Sequence, residues 1–173
     1  DVTVNYGANA NTGAVWARTL DIIKDSLRAA GQSSATITST TRSPGDQARA
    51  MFQNLVNPVF DISTNVANQL NLYGASGDVV INVFVQMTQG LTHQQILQNQ
   101  TVIRAAMEQE INNQDPQNVS RHCADPTQRN VVDIGAGVFN ANNVQLFINA
   151  IQGRVNVLHD ERDANSCIHI EVV

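Results

Sequence analysis

The stretch RVNVLHDERDANSCIHIEVV, residues 154–173, decides the fold class. Arg154 to His159 and Cys167 to Val173 each read as a strand, rich in Val and Ile, with a polar turn between them. Two strands so close in sequence suit an antiparallel hairpin. If the turn has odd length, odd-numbered residues share a face, and His159, Glu161 and Asp163 flank His169. An even-length turn brings Asp160 round instead. Working outward, Asn140 to Gln152 carries Val144, Phe147, Ile148 and Ile151 on one helical face. Val131-Val132-Asp133-Ile134 reads as a further strand, ended by Gly135 and Gly137.

Upstream the texture is helical. Residues 117–130 are polar and loop-like, and 92–113 read as one long helix with Ile96, Val102, Ile103, Ala106, Met107 and Ile111. The run VVINVFVQM, 79–87, fits a buried strand or a buried helix equally. Residues 62–73 suit a helix. Ser43-Pro44-Gly45-Asp46 has the chemistry of a helix start, and Pro58 ends that helix. Ser34 to Thr41 suits a short strand, and 11–31 a first helix with Gly31 as its stop. Helices thus come first and strands mostly late. That order predicts an α+β fold with a small antiparallel sheet and flanking helices. No internal repeat or linker interrupts it, so residues 1–173 read as one domain.

Charge excludes some partners. The net charge is -5, Lys24 is the only lysine, and the arginines are scattered singly, which argues against nucleic acid. No apolar run approaches the roughly 20 residues that span a bilayer. Asp1-Val2-Thr3-Val4 has neither the basic start nor the apolar stretch of a signal peptide. The chain therefore reads as a mature form, a piece of a larger protein, or a protein exported by another route.

Three of the four histidines and most of the notable acids lie in the last third: His122, Asp125, Asp133, His159, Asp160, Glu161, His169 and Glu171. A zinc enzyme needs about three protein ligands and one open position. Two histidines and one carboxylate would supply the ligands, leaving another carboxylate as general base.

Ser120-Arg121-His122 followed by Val131-Val132-Asp133-Ile134 resembles the Ser-x-His…Ala-x-Asp signature of the zinc D-alanyl-D-alanine carboxypeptidases of the VanX/VanY type. His169-Ile170-Glu171 is similar to that family's final His-x-Glu, and Ile37-Thr38-Ser39-Thr40-Thr41-Arg42-Ser43 with Gln47 to its Ser-Gly-Tyr-Arg-Ser…Gln segment. The resemblance implies a hedgehog/D-Ala-D-Ala-peptidase-like fold. It implies Zn2+ held by His122, Asp133 and His169, with Arg42 polarising the scissile carbonyl. It further implies cleavage of peptidoglycan stem peptides or cross-links in the periplasm or outside the cell. The setting would be wall maintenance, a lysin, or an antibacterial effector with its immunity protein or secretion-system carrier. The alternative is a non-catalytic peptidoglycan-binding domain on the same fold.

The chain departs from the family twice. The step from His122 to Asp133 is longer than the family's and lacks its glycine, so Asp125 is a rival ligand. The family's catalytic carboxylate stands three residues before the last His, where this chain has Ser166. Glu161 is the replacement base, Asp163 the second choice, and Glu171 a residue that steadies a ligand or Arg42. Cys123 follows His122 and Cys167 lies two before His169. A disulfide, thiolate ligation and two unconnected buried thiols are the alternatives. A cysteine hydrolase using one of them is a third reading of function.

Overall fold

The computed structural model describes residues 1–173 and begins with β1 (Thr3–Tyr6), a short strand that the sequence pattern does not reveal. A single 3₁₀ turn (Thr12–Ala14) precedes α1 (Ala17–Ala29), so the first helix is shorter than the 11–31 read from periodicity. It stops where expected. Gly31 sits at φ 68, a left-handed conformation that costs glycine little, and the Gln32 N–H donates back to the Leu27 carbonyl. Strand β2 (Ser34–Ser39) comes next.

Residues Arg42–Cys123 then form a compact helical unit of their own. Its first helix, α2 (Pro44–Leu55), starts as the sequence demands: Ser43 Oγ accepts the Asp46 N–H at 3.1 Å and Pro44 occupies the first turn. Asp61 caps α3 (Ile62–Leu72) in the same way. The ambiguous run 79–87 lies within α4 (Ala75–Thr88), which buries Gly77, Val80, Ile81, Phe84 and Thr88 at helical spacing. The expected helix 92–113 is two helices, α5 (His93–Gln98) and α6 (Gln100–Asn113), broken at Asn99. Thr92 and Gln95 form a reciprocal capping box at the start of α5, and the Asn99 side-chain amide donates to the Gln95 carbonyl at 2.7 Å. The polar 117–130 stretch is not all loop, because α7 (Pro116–Val119) and a 3₁₀ turn (Arg121–Cys123) interrupt it. Met51, Phe52, Leu55, Phe84, Met107 and Ile111 are central to this unit's core. Phe52 and Phe84 meet edge to face at 5.9 Å, an arrangement worth about 0.5–1.5 kcal/mol beyond area burial.

The remaining residues, Asp1–Thr41 with Ala124–Val173, make a sheet unit. It is completed by β3 (Asn130–Gly135), α8 (Ala141–Ile151), β4 (Val157–Glu161), a single helical turn α9 (Arg162–Asn165) and β5 (Cys167–Val172). The sheet order is β1-β2-β3-β5-β4. The fold is α+β, but the sheet is mixed rather than wholly antiparallel. β1 pairs parallel to β2 because helix α1 carries the chain back between them, whereas β3, β5 and β4 are antiparallel.

Strand alternation gives this sheet two distinct faces. Ile37, Val132, Ile134, Ile168 and Ile170 pack with Ile23 and Leu27 of α1 and Val144, Phe147, Ile148 and Ile151 of α8. Truncating one of these buried aliphatics to Ala costs about 2–5 kcal/mol. The opposite face of β3 and β5 carries Asp133, His169 and Glu171. No helix of the chain is long and apolar enough to cross a membrane.

Candidate metal centre

The strand register sets the site on the sheet. Asp133 of β3 lies directly opposite His169 of β5, which lies opposite His159 of β4. On the other side of Asp133 stands Ser39, after a register shift between Ile37 and Ser39. Such a bulge re-aims side chains and is common beside functional sites. One row across the sheet therefore carries Ser39, Asp133, His169 and His159. Glu171 occupies the same face two residues beyond His169, between Val131 and Val157. Glu161 occupies it at the other end, opposite Cys167. Of the two parities that the sequence leaves open, the odd-numbered one is the register found.

His169 is held at both ring nitrogens. Nδ1 lies 2.8 Å from Asp133 Oδ1, and Nε2 lies 2.7 Å from Glu171 Oε2. Burial alone lowers the pKa of this imidazole, but the hydrogen bonds and charges of Asp133 and Glu171 together outweigh it and raise it above the ordinary value. Glu171 is itself fully buried and accepts a second charge-assisted bond from Arg129 at 2.6 Å. The result is a chain Arg129–Glu171–His169–Asp133 in which every buried charge has an opposite neighbour. Sequence reasoning misses Arg129. Parity could have found it, since Arg129, Val131 and Asp133 alternate onto one face.

Two neighbours complete this face. The His159 ring stacks on that of His169, with centroids 5.6 Å apart and planes 19° apart, and its outer side is half exposed. Glu161 Oε2 lies 3.9 Å from His159 Nδ1, and its Oε1 accepts from the Asn165 amide at 2.8 Å. Asp163 is exposed on α9, and Asp160 pairs with Arg162 at 2.7 Å. Ser166 is exposed and left-handed at φ 54.

Asp125 is engaged elsewhere. Its Oδ1 accepts from the Thr127 N–H and hydroxyl at 2.9 and 2.8 Å, bonds that lower its pKa in an exposed turn. This carboxylate caps a turn, and Asp133 rather than Asp125 shares the sheet face with His169.

The helical unit holds the other two sequence-derived residues. His122 is in the 3₁₀ turn, with its N–H on Ser120 Oγ at 3.2 Å and its carbonyl accepting the Arg42 N–H at 2.6 Å. The Arg42 guanidinium donates to Gln47 Oε1 at 3.2 Å, and Gln47 Nε2 donates to the Tyr73 hydroxyl at 3.0 Å. Gln47 is fully buried, so both ends of its amide are needed to satisfy it. Gly77 leaves the space that the Tyr73 ring fills: a Cβ there would stand 2.5 Å from Tyr73 Cβ.

As donors, His122, Asp133 and His169 are the set that could hold a metal ion, one ligand atom from each. Cys123 and Cys167 are both free and buried, so the bracing disulfide is not formed. Burial pushes the Cys123 thiol up to about 11. Burial, with the nearby charges of Asp133 and Glu161, pushes Cys167 up to about 12. Both shifts run opposite to the lowering that activates a nucleophilic thiol. No family model matches the chain, and no curated protein or solved structure is significantly similar to it.

Proposed function

We propose that the chain is a zinc-dependent peptidase of peptidoglycan stem peptides or cross-links, with His122, Asp133 and His169 as metal ligands. The observation that carries the reading is the clamp on His169. One nitrogen faces the carboxylate of Asp133 and the other donates to the buried Glu171. A ligating imidazole whose far N–H rests on a carboxylate is the usual way a metal-binding histidine is oriented and made more basic. Two imidazoles and one carboxylate match the donor set of catalytic zinc sites that keep a position open. Zinc bound there supplies a Lewis acid and lowers the pKa of bound water to about 7.

The remaining roles belong to this chain's residues. Glu161 is the general base, a half-buried carboxylate on the same sheet face as His169. Arg42, held by Gln47, adds positive charge where the carbonyl oxygen becomes an oxyanion. The reaction is that of a D,D-carboxypeptidase or an endopeptidase, in the periplasm or outside the cell, as a lysin or an antibacterial effector. A second reading, a non-catalytic peptidoglycan-binding domain, is favoured by Ser166, which supplies no carboxylate where the resembling family has its base.

Digestion of purified peptidoglycan by zinc-loaded protein, with product masses, tests both. Loss of terminal D-alanine identifies a carboxypeptidase, and severed cross-links identify an endopeptidase. His122→Ala and Glu161→Gln should abolish either product. Folded, zinc-loaded wild type that releases nothing refutes the peptidase, and sedimentation with intact peptidoglycan would then establish the binding domain.

A further inference from the structure

We propose that a cavity of about 420 Å³ in the helical unit binds a zwitterionic amino-acid group, one carbon bearing a free ammonium and a free carboxylate. The cavity lies between the start of α2 and the exposed side of α6. Its charged lining consists of Asp46 from α2 and Arg104 and Glu108 from α6. Its volume falls in the range of small-molecule sites, about 300–1,000 Å³.

The charges are arranged for an external partner. Arg104 and Glu108 are one turn apart on α6, yet no ion pair joins them. An Arg that precedes a Glu by four residues is in the weaker order for a helical pair. Asp46 is held only loosely, 3.9 Å from Arg49. The Glu108 carboxylate instead leans over α2, where its Oε1 lies 3.0 Å from the point a Cβ on Gly45 would occupy. Gly45 therefore leaves room for the Glu108 carboxylate against the start of α2. Ser43 Oγ accepts the Asp46 N–H, which leaves its own O–H to donate.

This lining selects a ligand class. A divalent cation would meet the Arg104 guanidinium, and a phosphate would meet two carboxylates. A zwitterion satisfies both signs: its carboxylate takes Arg104 and the Ser43 hydroxyl, and its ammonium takes Asp46 and Glu108. As an extension of the peptidase reading, on which this step alone rests, the cavity is a specificity subsite. It would read a substrate branch that ends in a free α-amino carboxylate, starting at the residue next to Arg42.

Amide chemical-shift titration of metal-free protein with glycine, N-acetylglycine and glycinamide tests the binding. Glycine should shift Gly45, Asp46 and the amides of 101–108. The two blocked analogues, each lacking one charge, should bind at least about tenfold more weakly. Arg104→Gln should remove the glycine response, Arg104→Lys should keep part of it, and Glu108→Gln should remove the preference for glycine over N-acetylglycine. Equal responses to all three probes, shifts elsewhere, no shifts, or an unchanged response in Arg104→Gln overturn the proposal. The titration involves no zinc and no turnover. A glycine response without peptidoglycan cleavage defeats only the peptidase reading, and cleavage without a glycine response defeats only the cavity.

Discussion

Glu171→Gln is the sharpest probe of the proposed metal centre, because it removes one charge and almost no volume. Glu171 is fully buried, with one oxygen 2.7 Å from His169 Nε2 and the other 2.6 Å from Arg129. Glutamine can still accept one of these bonds, so no cavity opens and the fold should survive. What is lost is the negative charge that orients His169 and raises the basicity of its other nitrogen. A charge-assisted bond is roughly twice as strong as a neutral one. Loss of such outer partners costs about 10–100-fold in metal affinity, or about 1.4–2.8 kcal/mol. Arg129→Gln should cost far less, a few-fold, because that side chain is 39% exposed and water can replace it at Glu171. Competition with a chromophoric zinc chelator measures both variants, and far-ultraviolet circular dichroism checks the fold. A folded Glu171→Gln protein that binds zinc within about twofold of wild type would refute the assignment of His169 as a ligand.

The same contacts set further expectations. In metal-free protein the raised His169 pKa means that the folded state holds a proton more tightly than the unfolded chain does. That stability is fully present below the ordinary value of 6.5 and is lost as pH rises through the folded value. Thermal melts of chelator-treated protein taken upward from about pH 6 should show the decline, and His169→Gln should flatten it. Asp133→Ala should abolish zinc binding, whereas Asp125→Ala should leave zinc binding untouched, since Asp125 caps an exposed turn. Tyr73→Phe should destabilise by about 1–3 kcal/mol by stranding Gln47 Nε2, and should lower kcat more than it raises KM if Arg42 acts on the developing oxyanion. Gly77→Ala should destabilise by a similar amount, about 1–3 kcal/mol, as its methyl displaces the Tyr73 ring.

The sequence announced those parts of the molecule whose causes are local. Ser43-Pro44 starts a helix, Gly31 ends one, and the spacing of Val144, Phe147, Ile148 and Ile151 makes α8 amphipathic, all from neighbouring residues. The hairpin was legible for the same reason, because a short turn joins its strands, but its parity stayed open between Glu161 and Asp160 until the register settled it. What was not legible depends on distant partners. Thr3–Tyr6 is too short and too half-exposed to look like a strand until β2 stands beside it. The run 79–87 is apolar on too many positions for periodicity to choose, and burial in the helical core decides it. The bond from Arg129 to Glu171 spans 42 residues and needs the register of β3 against β5.

The pairing of β2 with β3 has a kinetic consequence. Ile37 meets Ile134 across 97 steps of chain, whereas Glu161 meets Cys167 across six. Loop-closure entropy grows as 1.5RT ln n, so the β2–β3 junction carries a cost about 2–3 kcal/mol larger than the hairpin. The excursion between them, Arg42–Cys123, is built of helices whose contacts form at short range. Hairpin and helices are thus the early events, and the row that sets Ser39 beside Asp133 is among the last to close. The strands that carry Asp133 and His169 both come after this excursion. On a ribosome the row that pairs Asp133 with His169 therefore forms only once the helical unit has been made.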